Sequence, residues 1–250
     1  MTRAAFLVAG MIAFFISSAA CSRRDSTGRT QSPTGAPEMP QPTVARFKPG
    51  PIHYLALGDS TGVGVGAQNN GYVARLFTRI SAQRPGSRLT NLCVSGATTA
   101  EVLNSQLDLA VNTSADLITL GIGINDIGHG LTVEEFGRNY EAILSRLQSD
   151  TGATVVVTNI PDISTAPQIP VFARRRYHQL ILDFNQRLEE IALRHRVILF
   201  DVYSITHREL PAHPEYISGD GFHPSDEGYE LWAENMWPAI AALFSPNGQQ

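Results

Sequence analysis

Ile52-His53-Tyr54-Leu55-Ala56-Leu57-Gly58-Asp59-Ser60-Thr61-Gly62 is an apolar run that stops abruptly on Gly-Asp-Ser. The run has the length and character of a buried strand, and the turn residues that end it leave the Ser60 hydroxyl at the strand's carboxyl end. Open α/β sheets gather their ligands at that end. Ser60 is therefore a candidate nucleophile, although Gly, Asp and Ser also make ordinary strand-to-helix turns. Its distant partners decide between the two readings.

Downstream, the same grammar repeats. The spacing predicts a helix over Tyr72 to Gln83 with Val73, Leu76, Phe77 and Ile80 on one face, then a strand over Arg88 to Leu92. A helix starts near Thr98 or Thr99, and Asp116 to Ile122 reads as a continuous apolar strand of the buried parallel type. An amphipathic helix over Thr132 to Gln148, a strand over Ala153 to Thr158 and a Pro-rich loop over Ile160 to Pro170 follow. A long helix from Phe172 to Arg194 leads to a strand over Val197 to Phe200, a loop over Tyr203 to Gly219 and a closing helix over Asp226 to Phe244. Strands alternating with helices predict a three-layer α/β/α sandwich around a five-stranded parallel sheet. Right-handed crossovers then put every strand's carboxyl end on one rim.

Composition narrows the function. The 250 residues are 43% hydrophobic and 17% charged, with a net charge of -4, enough for one sizeable core and without the basic surface that nucleic acid requires. Residues 1–20 carry Arg3, an apolar stretch from Ala4 to Ile16 and then small residues, the layout of an export signal. Ser18-Ala19-Ala20-Cys21 resembles a bacterial lipobox, which would make Cys21 a lipidated N-terminus and membrane anchor; Ser18 stands where Leu is usual, so cleavage to a soluble secreted or periplasmic form stays open. Residues 21–50 are rich in Ser, Thr, Pro and Gly and read as a tether reaching on the order of 30 Å. The folded domain is expected over 51–245, as a monomer, with a short tail over 246–250. If Cys21 is acylated, Cys93 has no partner for a disulfide, and it reads as a small buried residue.

The chemistry gathers on the predicted rim. A serine hydroxyl needs a base in hydrogen-bond reach and a third group to fix that base's tautomer. His223 suits the base, and Asp220, three residues earlier in the same turn, can hold its Nδ1 proton. Backbone N–H groups of Ser60 and Gly96 and the side-chain amide of Asn125 are the candidate oxyanion donors. The remaining histidines, His53, His129, His178, His195, His207 and His213, lack such local pairing and read as surface or structural. No His-Glu-x-x-His or paired-Cys spacing marks a metal site, so no metal or other cofactor is expected. Gly62, Gly64 and Ala67 match a dinucleotide fingerprint, but the acidic residue it needs about twenty positions on is missing.

These blocks, Gly58-Asp59-Ser60, Asn91 to Gly96, Gly123-Ile124-Asn125-Asp126 and Asp220-Gly221-Phe222-His223-Pro224, resemble in order those of the SGNH hydrolases, also called the GDSL esterase and lipase family. The resemblance implies a flavodoxin-like sandwich, a Ser60-His223-Asp220 triad and oxyanion donors at Ser60, Gly96 and Asn125. Thr61 departs from the Leu usual there. Gly58 to Gly62 also satisfies the α/β-hydrolase nucleophile elbow, but only one strand precedes Ser60 and the acid lies close to the histidine. The expected activity is hydrolysis of a carboxylic ester, from short- or medium-chain acyl esters to lysophospholipid. Carbohydrate O-deacetylation, thioester hydrolysis and, in another class, a non-catalytic binding module are the alternatives. Ile163, Ile169, Phe172, Ile217 and Phe222 either line an acyl groove or pack the loops that carry them.

Overall fold

Five short segments, apolar except for the edge strand β2, pair side by side, all parallel, in the order β2-β1-β3-β4-β5: β1 (His53–Gly58), β2 (Arg88–Asn91), β3 (Leu117–Gly121), β4 (Thr154–Thr158) and β5 (Ile198–Phe200). The computed structural model describes residues 46–244. The expected signal segment, Cys21, most of the tether and the tail lie outside the described residues.

Strand pleating sends alternate side chains to opposite faces. Leu55, Leu57, Ile118, Leu120, Val155 and Val157 go to one face, and Tyr54, Ala56, Leu117 and Val156 to the other. The first face is covered by α6 (Val133–Asp150) and α7 (Val171–His195), through Phe136, Ile143 and Leu147 on one and Ile181, Phe184 and Leu188 on the other. The second face is covered by α2 (Tyr72–Gln83) and α9 (Asp226–Ala241), where Tyr72 and Trp232 stack with ring centroids 4.8 Å apart. Each such side chain, once buried, contributes about 1.5–3 kcal/mol of transfer free energy. The result is the three-layer α/β/α sandwich with a five-stranded parallel sheet that the alternation of segments predicts.

Shorter helices fill the rim and edges: α1 (Ser60–Val63), α5 (Ile124–His129) and α8 (Val202–Glu209). Between β2 and β3 a single run of helix is interrupted in its middle. There α3 (Thr99–Glu101) passes through a π-helical turn over Val102–Gln106 into α4 (Leu107–Val111). The segment from Tyr203 to Gly219, expected as loop, holds most of α8 and a 3₁₀ turn over Pro214–Tyr216. Asp201 caps α8 by accepting the Ser204 N–H at 3.0 Å, while Val202, Ile205 and Leu210 turn inward.

The sheet order places the site. From β1 the chain moves to β2 on one side and then crosses back to β3 on the other, so the connections diverge at the carboxyl ends of β1 and β3. Such a switch point leaves a crevice for a ligand. Gly58 and Gly121 end these strands opposite one another, and a Cβ on Gly58 would lie 2.2 Å from the Gly121 carbonyl oxygen. With φ at +146° as well, Gly58 is a position only glycine occupies without strain.

Candidate active site

Ser60 emerges from β1 as the first residue of α1 and is 5% exposed. Asp59 caps this turn, its Oδ1 accepting the Thr61 N–H at 2.9 Å and the Thr61 hydroxyl at 2.8 Å. Burial pushes the Asp59 carboxyl up to about 6 against the opposing effect of these two bonds. The backbone just before it is held from the side. Gln106, in the π-helical turn, accepts the Gly58 N–H at 2.9 Å and donates to the Gly58 carbonyl at 2.8 Å.

The loop between α8 and α9 returns to the same rim and brings His223 to Ser60, with Nε2 2.9 Å from Oγ. The other ring nitrogen, Nδ1, lies 2.6 Å from Asp220 Oδ2. Asp220 Oδ1 accepts three further hydrogen bonds, from the Phe222 N–H at 2.8 Å, the His223 N–H at 2.9 Å and the Ser218 hydroxyl at 2.8 Å. Burial raises this carboxyl, but the His223 bond and the backbone and hydroxyl donors outweigh it and hold Asp220 well below the usual carboxylate range. An ionised Asp220 accepting from Nδ1 leaves Nε2 with its lone pair toward the serine hydroxyl. Ser60, His223 and Asp220 are thus connected through two hydrogen bonds, an arrangement that suits a nucleophile, a base and an orienting acid.

The three expected oxyanion donors sit on adjacent turns of the same rim. Ser60 opens α1, where the first-turn N–H groups have no partner within the helix. Gly96 follows β2 with φ at +80° and is exposed. Asn125 follows β3, and its Nδ2 donates to the Ala97 carbonyl at 2.9 Å, which ties it to the Gly96 turn and leaves one amide hydrogen for another acceptor. Behind them, the fully buried Asp126 accepts the Thr99 N–H at 3.0 Å and the Thr99 hydroxyl at 2.5 Å, joining α5 to α3. Burial raises Asp126 while the Thr99 bonds lower it, and the upward shift prevails.

A cleft opens beside Ser60 and His223, walled by Ile124, Ile163, Ile205, Leu210, Ile217 and Phe222. Its cavity measures about 40 Å³. Of the apolar residues expected there, Ile163, Ile217 and Phe222 line it. Ile169 is packed into the core instead, and Phe172, at the start of α7, is 91% exposed and does not line the cleft. Val202, Ile205, Leu210 and Tyr216 of the wall were not singled out from the sequence. An Asp cap three residues before Ser204, followed by Val202 and Ile205 at helical spacing, was the available signal. Gln106 left none, because its role depends on a π turn.

The chain is similar to known proteins. Residues 56–231 match the GDSL-like Lipase/Acylhydrolase family. A spore germination lipase, LipC, of Bacillus licheniformis is 28% identical over 212 residues, covering 74% of this chain and 94% of the relative. Esterase TesA of Pseudomonas aeruginosa is 24% identical over 190 residues, covering 76% and 88%. Among solved structures, the acetylxylan esterase Axe2 of Geobacillus stearothermophilus superposes with a TM-score of 0.64 at 17% identity, covering 77% of this chain and 95% of its own. At that identity the likeness concerns the fold.

Proposed function

The chain belongs to the GDSL-like lipase/acylhydrolase family and is an ester hydrolase, and from that premise we propose that it cleaves short-acyl carboxylic esters through a covalent acyl-serine at Ser60. The observation that carries this reading is the hydrogen-bonded chain Ser60 Oγ, His223 Nε2, His223 Nδ1, Asp220 Oδ2, with its two contacts at 2.9 and 2.6 Å.

In the first half-reaction Ser60 Oγ attacks the ester carbonyl carbon as its proton passes to His223 Nε2. The imidazolium that forms is stabilised by ionised Asp220 across Nδ1–H. The carbonyl oxygen becomes an oxyanion, for which the N–H groups of Ser60 and Gly96 and the Asn125 amide are the donors, each worth about 3 kcal/mol in the transition state. Nε2 then gives its proton to the departing alcohol. Water enters, loses a proton to the same nitrogen, and releases the acid by the reverse sequence.

Acyl size follows from the cavity. The cavity beside Ser60 is small, about 40 Å³, and its walls are mostly apolar. Acetyl to butyryl groups fit this space with its apolar walls, which favours short-acyl esters over long-chain lipids. The same observation supports an acetylated carbohydrate as a second reading. Export, with Cys21 as a lipid anchor, belongs to this proposal too, and the mass of the mature N-terminus tests it.

The test is hydrolysis of nitrophenyl esters from acetyl to lauroyl by the chain and by its Ser60→Ala variant. The expected profile peaks at the short acyl groups and vanishes in the variant. Turnover that survives Ser60→Ala, or a maximum at lauroyl, would overturn the mechanism or the acyl assignment respectively.

A further inference from the structure

On the outer side of the cleft wall, three residues far apart in sequence converge: Asp162 in the loop after β4, His178 on α7 and His207 on α8. Both imidazoles address one carboxylate oxygen. Asp162 Oδ2 lies 3.1 Å from His178 Nδ1 and 2.7 Å from His207 Nδ1, and the ligating atoms of all three fall within 4.8 Å of one another. We propose that Asp162, His178 and His207 form a site for a divalent transition cation of the zinc type.

Two imidazoles and one carboxylate are the donors such ions take, with an exchangeable fourth position. Metal–ligand distances of about 2.0–2.2 Å in a tetrahedron put ligand atoms about 3.3–3.5 Å apart. Each donor atom here reaches that spacing by moving less than about 1 Å. Binding requires each neutral ring to carry its single proton on Nε2, leaving the Nδ1 lone pair for the metal.

The donors are also held from outside. Asp162 Oδ1 accepts the Ser164 N–H at 2.9 Å, which keeps Oδ2 toward the rings, and the Asp162 N–H donates to Thr206 Oγ1 at 2.8 Å. His207 stacks on Tyr203 with centroids 5.5 Å apart and 9° between planes. Such supports are what a metal site uses to fix its ligands. Asp162 is 5% exposed in its side chain, whereas His178 and His207 are 31% and 58% exposed, so an ion has access from the histidine side. Ser164, Arg174 and Arg175 line the same opening. The two guanidiniums oppose the cation and favour an anion, such as chloride or hydroxide, as its fourth ligand.

Pro161 and Ile163, on either side of Asp162, both face the catalytic cleft, as does Ile205 two residues before His207. A cation would therefore pin the loop after β4 to α7 and α8 directly behind the acyl wall. No sequence signal marks this cluster, because positions 162, 178 and 207 have no local spacing and both histidines read as surface or structural.

Zinc(II) titration of the untagged, metal-stripped full chain by calorimetry tests the proposal, alongside His178→Ala and His207→Ala. Cobalt(II) absorption in the visible reports ligand geometry independently of hydrolysis. Saturation at one ion per chain, and at least about tenfold weaker binding in both variants, is the expected result. Thermal unfolding confirms that the His207→Ala variant, altered at an exposed position, is folded. Absence of saturable binding, or unchanged affinity in both variants, would overturn the site. Neither outcome bears on the serine mechanism, since ion binding is read without ester.

Discussion

Gln106 and Gly58 exchange both of their amide hydrogen bonds: the side-chain oxygen accepts the glycine N–H at 2.9 Å and the side-chain nitrogen donates to the glycine carbonyl at 2.8 Å. The glutamine thus continues the sheet as a one-residue strand at the point where β1 stops and the Ser60 turn begins. It reaches that point because the helix after β2 widens into a π turn over Val102–Gln106, a distortion often kept at functional sites.

Replacing Gln106 by Leu leaves the Gly58 N–H unpaired in a site where Gln106 is 2% exposed, while the Gly58 carbonyl keeps the Val94 N–H at 3.0 Å. One buried donor left unsatisfied costs about 1–3 kcal/mol, and urea unfolding should register a loss of that size. Turnover should fall as the Ser60 turn loosens, with a smaller change in KM. Gln106→Glu keeps the acceptor and loses the donor, and should lie between. An unfolding free energy equal to that of the native chain would remove the glutamine from this role.

Asp220→Asn tests the orienting acid. The amide can still accept the backbone donors through oxygen, but turning that oxygen toward His223 sacrifices them, and turning nitrogen there forces the wrong imidazole tautomer. The expected loss in kcat is on the order of 10⁴, with circular dichroism unchanged. Asn125→Ala removes one oxyanion donor and its tie to Ala97, and should lower kcat by about 10²–10³. A variant at either position with native turnover on nitrophenyl acetate would refute that residue's assignment.

What was legible in the sequence follows from how local each signal is. β3 was plain because a strand buried on both faces is almost wholly apolar, as Leu117, Ile118 and Leu120 are, with Thr119 buried among them against the Tyr54 hydroxyl. Asp220 and His223 were plain because one turn holds both, and the crossover rule alone carried them to Ser60. Phe172 was misplaced since apolar character says nothing of direction, and at the start of α7 its side chain meets solvent. α8 was hidden by its short length and polar residues, and Gln106 and the Asp162 cluster by dependence on contacts between distant segments.

Asp59 should give stability an unusual dependence on pH. Burial raises its carboxyl from 3.8 to about 6, so the folded chain binds this proton more tightly than the unfolded chain. The stabilisation this provides is complete below the unfolded value and is lost as pH rises through the folded one. Asp59→Asn retains an oxygen for Thr61 and never ionises. It should therefore be more stable than the native chain at about pH 8, by about 2–3 kcal/mol, with the gap closing toward pH 4. Equal stabilities at both ends would mean that the carboxylate has a compensating partner.

The acyl assignment rests on the wall that α8 provides, so Ile205 is the residue to change. It is buried beside Ser60 and His223 in the lining of a cavity of about 40 Å³. Truncation to Ala removes three carbons from the wall and costs about 2–4 kcal/mol of stability, which the thermal midpoint will show. The space gained accommodates additional methylenes, each worth about 1–3 kcal/mol of discrimination in an apolar pocket. The ratio of kcat/KM for hexanoyl over acetyl nitrophenyl ester should therefore rise by about tenfold or more in Ile205→Ala. Enlargement to Phe should shift the ratio the other way, toward acetyl. If neither substitution moves the ratio while both retain turnover, the acyl group leaves Ser60 along another path and the α8 wall instead faces the alcohol.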